Sequence, residues 1–309
     1  MLHFRSLDEL SLHDTWLTIG VFDGVHRGHQ VILDHIVYGA HAMNARAAVI
    51  TFDPHPAVVL GGKTDFKYLT TPDERLALLE AFGVDLVITQ TFTRQFAHQT
   101  AEEFMGRVSK TLGLRHLTIG YDTALGRGRE GNADRLTAIG KKLGYIVEVI
   151  SPLADEAGII SSTRIRGHVL NGEMVTAARE LGRYYAITGP VIHGDGRGRT
   201  IDIPTANLSI PAEKIIPANG VYACWAWVDG KKHQAVINIG IRPTFTPEEF
   251  APHVEAHLLD FNRDLYGQQV RLEFVSHLRT EQKFPSVEAL VAQIHLDIKK
   301  AAEILQGEK

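Results

Sequence analysis

The stretch "TWLTIGVFDGVHRGHQ", Thr15 to Gln30, decides the fold. It opens as an apolar run of strand character and continues through Gly20, Gly24 and Gly28. Glycines permit a tight turn and a close approach of backbone to ligand. His26 and His29 stand where the next helix should begin. A strand that turns directly into a helix is the unit of an open α/β sheet, whose ligands sit beyond the carboxyl ends of the strands. The helix start adds free N–H groups and a positive dipole end, which suit phosphate. Both histidines could then reach one phosphate chain. A plain turn with surface histidines is the simpler reading. A zinc pair is a third, although no thiol or other well-placed ligand accompanies it.

Outward from this stretch, the first half of the chain repeats the same alternation. Apolar runs recur at "AAVITF", "VDLVITQ", "LTIG" and "YIVEVI", with helical patterns between them. "TPDERLALLEAFG" carries a capping box, Thr71 with Glu74, and Pro72 in the first turn. "TAEEFMGRVSKTLG" repeats the relation with Thr100 and Glu103, and Gly113 suits its end. This pattern predicts a parallel sheet with helices on both faces. After Gly182 the helical patterns stop. Strand-like runs separated by Gly, Pro and Asp turns predict a small antiparallel barrel, closed by a helix over about Ser286 to Ile304. The expected domains are residues 1–182 and 183–309.

The bulk composition limits the function. A length of 309 residues favours two domains, and 44% hydrophobic residues is ordinary for a soluble protein. A net charge of −4 does not suggest a broad nucleic-acid surface. One cysteine, Cys224, excludes an internal disulfide and reads as a core residue. No signal-peptide core and no run of roughly 18 apolar residues is present, so the expectation is a cytoplasmic protein without a membrane partner. The sequence leaves the oligomeric state open.

Three stretches carry the candidate chemistry of the first half. "GVFDGVHRGHQ" contains His-x-Gly-His directly after the first strand run. "TFDPHP", Thr51 to Pro56, follows the second run and belongs at the same sheet edge. "ISSTRIR", Ile160 to Arg166, opens a helix with hydroxyls that donate to phosphate and an arginine that neutralises it. Together, in this order, they resemble the adenylyltransferase half of the bacterial bifunctional riboflavin kinase/FAD synthetases. The resemblance implies transfer of AMP from ATP to FMN, giving FAD and pyrophosphate. It puts His26 and His29 in catalysis. It puts Gly20, Phe22, Asp23, Gly24, Gly28, Asp53, His55, Ser162, Thr163 and Arg166 around ATP, and Asp122 at the nucleotide or flavin. The family pattern Asp-Phe-x-Phe-Gly is broken here by Thr123 and Leu125.

"HGDGRGRTIDIPTANL", His193 to Leu208, is the dense stretch of the second half. Gly194, Gly196 and Gly198 with Arg197 and Arg199 could wrap phosphates. Thr205 and Asn207, two apart on an extended segment, share a face and could complete an Mg²⁺ shell. In "HVEAHLLDF", alternation puts His253, Glu255 and His257 on one face, which leaves a metal site as an alternative. "PTAN", with "GVYA", "NIGIRPTF", "VEAHLLDFNRDLYG" and "LRTEQKF" after it, resembles riboflavin kinases in family order. The resemblance implies phosphorylation of riboflavin to FMN, with Glu255 as general base and Mg²⁺ as the metal. Asp202 and Ile203 replace the family's Gly-Phe, and Tyr184 replaces a proline, a change expected to loosen only the interdomain linker. The implied small-molecule partners are riboflavin, FMN and ATP. Two alternatives stay open: one active half, or a flavin-binding module without turnover.

Overall fold

The computed structural model describes residues 1–62, 65–194, 198, 201, 203–240 and 252–308. The chain forms two compact units, Met1–Ser162 and Thr163–Lys309. The first is built on β1 (Leu2–Phe4), β2 (Thr15–Ile19), β3 (Arg46–Asp53), β4 (Leu86–Thr91), β5 (Leu114–Gly120) and β6 (Ile146–Ile150). These strands pair in the order β1-β4-β3-β2-β5-β6, all parallel. From β2 the chain moves outward through β3 and β4, then returns to add β5 on the other side. The order therefore reverses between β2 and β5, where a doubly wound sheet opens its ligand crevice.

Helices α1 (Arg27–Ala42), α2 (Pro56–Gly61), α3 (Pro72–Ala81), α4 (Ala101–Leu112) and α5 (Ala133–Leu143) connect these strands. A two-stranded hairpin, β7 (Ala154–Asp155) with β8 (Gly158–Ile159), completes the unit. The alternation along β3 shows how both faces are covered. Ala47 and Val49 pack with Leu33 and Ile36 of α1 and Leu79 of α3. Ala48 and Ile50 pack on the opposite face with Phe104 and Met105 of α4 and Leu136 of α5. A sheet buried on both faces needs such continuous apolar strands. Both expected capping boxes are present, Thr71 with Glu74 and Thr100 with Glu103. Gly113 ends α4 in the left-handed region, φ +55.

The second unit begins within α6 (Ser162–Leu170) and continues through α7 (Met174–Leu181). The change of pattern read at Gly182 therefore lies after the structural division. The reason is local: α7 looks like the helices before it, but it packs on the barrel strands that follow. Those strands are β9 (Tyr185–Ile192), β10 (Ala206–Leu208), β11 (Gly220–Val228), β12 (Lys231–Gly240), β13 (His253–Leu258) and β14 (Gln269–Arg279). α7 lies against β9 and β14.

The barrel closes in the order β10-β13-β12-β11-β14-β9, and its pairs are antiparallel. Closure leaves no open edge. Cys224 is buried on β11, where burial pushes its thiol up. The last helix, α8 (Val287–Gly307), packs Ala301 and Leu305 against Val221, Ala223 and Trp225. Arg279 grips the buried Asp297 of α8 through Nε and Nη2, at 3.0 and 2.8 Å. Tyr184 does more than loosen a linker. It packs against the α8 cluster and donates to Glu308, and burial pushes its phenol up to about 12. Among the described residues, no helix is long and apolar enough to cross a membrane.

Candidate active sites

The first unit holds a cavity of about 800 Å³ at the carboxyl edge of the sheet. It is reached from Ile19 at the end of β2, Phe52 near the end of β3, Phe92 just after β4 and Gly120 at the end of β5. The crevice predicted by the order reversal is therefore present.

The Gly20–Gln30 stretch forms one wall through an unusual backbone. Phe22 (φ +54), Gly24 (φ +81) and Val25 (φ +38) all lie in the left-handed region. Bulky residues rarely adopt it, so surrounding contacts must hold the turn. The carbonyl of Val21 accepts from Thr51 Oγ1 and from Arg75 Nη1, each at 3.0 Å. Arg75 is almost wholly buried, and burial lowers its basicity against the opposing effect of Asp23 and Asp53. Asp23 is 1% exposed. Its carboxylate accepts from the backbone N–H groups of Leu69 (3.1 Å) and Thr70 (3.0 Å) and from the Thr70 hydroxyl (3.2 Å). Thr70 Oγ1 in turn accepts from the N–H of Gly24 at 2.9 Å.

His26 caps α1: its Nδ1 accepts from the N–H of His29 at 3.4 Å. An accepting Nδ1 puts the proton of a neutral ring on Nε2. The two rings stack with centroids 3.7 Å apart. His29 lines the cavity beside Phe22, while His26 is 6% exposed behind it. A Cβ at Gly28 would sit 3.1 Å from the His26 ring, so glycine gives the cap its room.

Of the residues expected here, Gly20, Phe22, His29, His55 and Asp122 line the cavity. His55 caps α2, its Nδ1 accepting from Ala57 N–H at 2.9 Å. Asp23, Gly24, His26, Gly28 and Asp53 do not line the cavity. Asp23, expected in the ATP shell, has both carboxylate oxygens engaged by the Leu69–Thr70 segment. Ser162 joins the loop by donating to the carbonyl of Asp23 at 2.9 Å. Thr163 and Arg166 follow on α6, in the second unit.

Sequence reasoning missed the opposite wall. Phe52, Phe92 and Phe96 meet edge to face or tilted, with centroids 5.6 to 6.0 Å apart. Such a surface accepts a flat apolar ring. The available signal was an aromatic at the carboxyl end of two successive strand runs, Phe52 within β3 and Phe92 just after β4. Thr123 and Leu125, the departures from the family pattern, also line the cavity, and Leu125 packs against the sheet core.

In the second unit, strand register assembles the site. Asn207 on β10 stands directly opposite Glu255 on β13, and Glu255 stands opposite Asn238 on β12. Directly opposed residues share one face of a sheet. Val254, Ala256 and Leu258 turn inward and are buried, so Glu255, His253 and His257 share the other face, as alternation predicts. His257 Nδ1 donates to the carbonyl of Pro204 at 2.8 Å and so fixes the residue before Thr205.

Thr205 lines a cleft of about 90 Å³ together with Arg263 and Tyr266. A Cβ at Gly194 would fall 2.2 Å from the amide nitrogen of Asn207, so this backbone is pressed onto the Asn207 side chain. A Cβ at Gly198 would meet the carbonyl of Ile203 at 2.2 Å and Thr205 Oγ1 at 3.3 Å. The expected site residues Gly196 and Arg199, with Arg197 and Asp202, lie outside the described residues, as does "NIGIRPTF" beyond Gly240. Among the described residues, no group of three His, Cys, Asp or Glu side chains could hold a metal ion.

Comparison with known proteins covers both units. The FAD synthetase family profile matches residues 8–164, and the riboflavin kinase profile matches residues 181–305. A bifunctional riboflavin kinase/FMN adenylyltransferase from Listeria monocytogenes is 36% identical over 96% of this chain and 94% of its own length. Its counterpart from Haemophilus influenzae is 39% identical over 92% of each chain. The Bacillus subtilis counterpart is 35% identical over 92% of this chain and 90% of its own. A solved structure described as a macrolide-efflux protein from Streptococcus pneumoniae superposes with a TM-score of 0.90, at 30% identity. That match covers 97% of this chain and 98% of the other. The chain belongs to the family of bifunctional riboflavin kinase/FMN adenylyltransferases.

Proposed function

We propose that this chain makes FAD from riboflavin in two ATP-dependent steps, one in each unit. The observation that carries the reading is the cavity at the sheet's carboxyl edge, with His29 on one wall and Phe52, Phe92 and Phe96 on another. A nucleotide's phosphates and a flavin's flat ring need those two different surfaces in one space.

In the first step, the 5′-hydroxyl of riboflavin attacks the γ-phosphorus of ATP, and ADP leaves. Glu255 accepts the hydroxyl proton. Phosphoryl transfer otherwise asks the protein for positioning and charge neutralisation. The glycine loop around Gly194, Gly196 and Gly198, with Arg199, holds the ATP phosphates. Thr205 and Asn207 would hold Mg²⁺. Their hard oxygen donors fit it, and Asn207 stands opposite Glu255, next to the transferring group. A cation that also binds phosphate oxygens needs only one or two protein oxygen donors. When bound, the cation would neutralise phosphate charge.

In the second step, a phosphate oxygen of FMN attacks the α-phosphorus of ATP, and pyrophosphate leaves. The nucleophile is already ionised, so no general base is needed. His29 and the N-terminus of α1 stabilise charge moving onto pyrophosphate, and the family resemblance adds Ser162, Thr163 and Arg166. His26 holds His29 in place from behind. Gly20 and Gly28 leave room for the backbone to approach the nucleotide, and Asp122 contacts its ribose or the flavin. His55 bounds the ATP side of the cavity, and Asp53 ends the strand that leads to it.

The direct test is to incubate the purified protein with riboflavin, ATP and Mg²⁺ and to separate the flavins over time, with a parallel start from FMN. FMN followed by FAD is expected. FMN without FAD would reduce the chain to a kinase and point to Thr123 and Leu125. FAD from FMN alone would reduce it to an adenylyltransferase. No product from either start would leave a flavin-binding module.

A further inference from the structure

The loop between β5 and α5 carries charges that the two-step reading leaves unused. Leu125 and Gly131 form an isolated antiparallel bridge, with N–H to O distances of 3.0 and 2.8 Å. The bridge pinches off Gly126 to Glu130. A side chain at Gly126 would come within 2.4 Å of the Ala101 nitrogen, so the loop is pressed onto the start of α4. Arg127 N–H donates to the carbonyl of Gln99 at 2.8 Å, and Glu130 Oε1 accepts from Ala101 N–H at 3.0 Å. The backbone is thus anchored on both sides, and Arg127 and Arg129 line the cavity.

Arg129 has a left-handed backbone, φ +61, which an arginine seldom adopts unless its surroundings impose it. That conformation aims the guanidinium back toward the end of β5, where Nη2 donates to the carbonyl of Asp122 at 3.2 Å. Among the described residues that line the cavity, Arg127 and Arg129 are the only permanent cations.

Adenylyl transfer brings two phosphate-bearing substrates into this cavity. ATP has its seat on the β2 side, at His29 and the start of α1. The other substrate is the flavin, whose 5′-phosphate is a dianion near neutral pH. A guanidinium is the group best matched to it in charge and geometry. We propose that Arg129, with Arg127 beside it, binds the 5′-phosphate of FMN and so makes this unit select FMN over riboflavin. The proposal rests on the adenylyl-transfer reading above.

The test is steady-state FAD formation from FMN and ATP by the full chain, comparing wild type with Arg129→Gln and Arg127→Gln/Arg129→Gln. Lumiflavin, which has the flavin ring but neither ribityl chain nor phosphate, serves as a competitive inhibitor against FMN. Arg129→Gln should raise KM for FMN about tenfold, the value of one charge-assisted hydrogen bond, and the double variant should raise it further. KM for ATP and the inhibition constant of lumiflavin should stay within about twofold, since neither depends on this contact. Arg129→Lys should recover part of the loss by restoring the charge. An unchanged KM for FMN would overturn the assignment. So would a lumiflavin constant that rises in step, which would mean that the substitution only deforms the pocket. A KM for ATP that rises instead would move the arginines to the ATP phosphates. A wild-type chain that forms no FAD from FMN would overturn the adenylyl-transfer reading and this proposal with it.

Discussion

The rings of His26 and His29 stack 3.7 Å apart, and the first accepts a hydrogen bond from the backbone of the second. One histidine therefore faces the cavity and the other holds it there. His29→Ala should lower FAD formation from FMN by about a hundredfold, within the range for one stabilising donor in a preorganised site. FMN formation from riboflavin should stay near the wild-type rate. His26→Ala should also cost about 1 kcal/mol of stability through loss of the helix cap. Equal loss of both reactions in His29→Ala would contradict the assignment of the steps to separate units.

Glu255 stands opposite Asn207 in the strand register. Glu255→Gln keeps the shape and removes the base, so FMN formation should fall by about 10²- to 10⁴-fold. The variant should still convert added FMN to FAD. Flavin chromatography from the two starting substrates separates these outcomes. Retained riboflavin phosphorylation would remove Glu255 from its role.

Asp23 is buried and accepts from two backbone N–H groups and one hydroxyl. Asp23→Ala strands the N–H groups of Leu69 and Thr70 without an acceptor. Each buried orphan costs about 1–3 kcal/mol. The melting temperature of the first unit should drop by several degrees, and FAD formation should fall with it. Asp23→Asn retains one acceptor oxygen and should land between the two. A stable, inactive Asp23→Ala would instead restore Asp23 to direct contact with ATP.

His116 stacks on Trp16 with centroids 4.1 Å apart, and burial lowers its pKa below 6.5. Glu148 opposes this shift, and His35 reinforces it. The folded state therefore favours the neutral ring. Its stabilising contribution is full above pH 6.5 and is lost as pH falls from there toward the folded value. Thermal melts at pH 7.5 and 5.5 should show a smaller acid-induced loss for His116→Gln than for wild type. Equal losses would place the acid sensitivity elsewhere.

Much of the fold was legible because the governing signals are local. Thr71 with Glu74, and Thr100 with Glu103, announce helix starts within four residues. The apolar run that became β3 feeds two cores because alternate residues face opposite ways. The three-residue strands β1 and β10 were too short to show a period.

The candidate sites were legible in residue type but not in direction. The motif names Asp23, but only the folded chain shows it turned toward Leu69 and Thr70. Arg75 reads as an ordinary helix-surface arginine until α3 packs it beneath Val21. Nothing in "GVFDGVH" announces that Phe22 and Val25 take left-handed conformations. The aromatic wall and the arginine loop each depend on segments that meet only through the sheet.

The lock between Asp23 and the Leu69–Thr70 segment also bears on engineering. The eleven-residue motif is only half of a two-piece part, since its turn is clasped by residues more than forty positions later. Grafted alone onto another parallel sheet, it should relax into a different turn and lose its histidine geometry. A transplant would have to carry the segment from Tyr68 to Arg75 as well, so the smallest portable version of this nucleotide cradle is discontinuous in sequence.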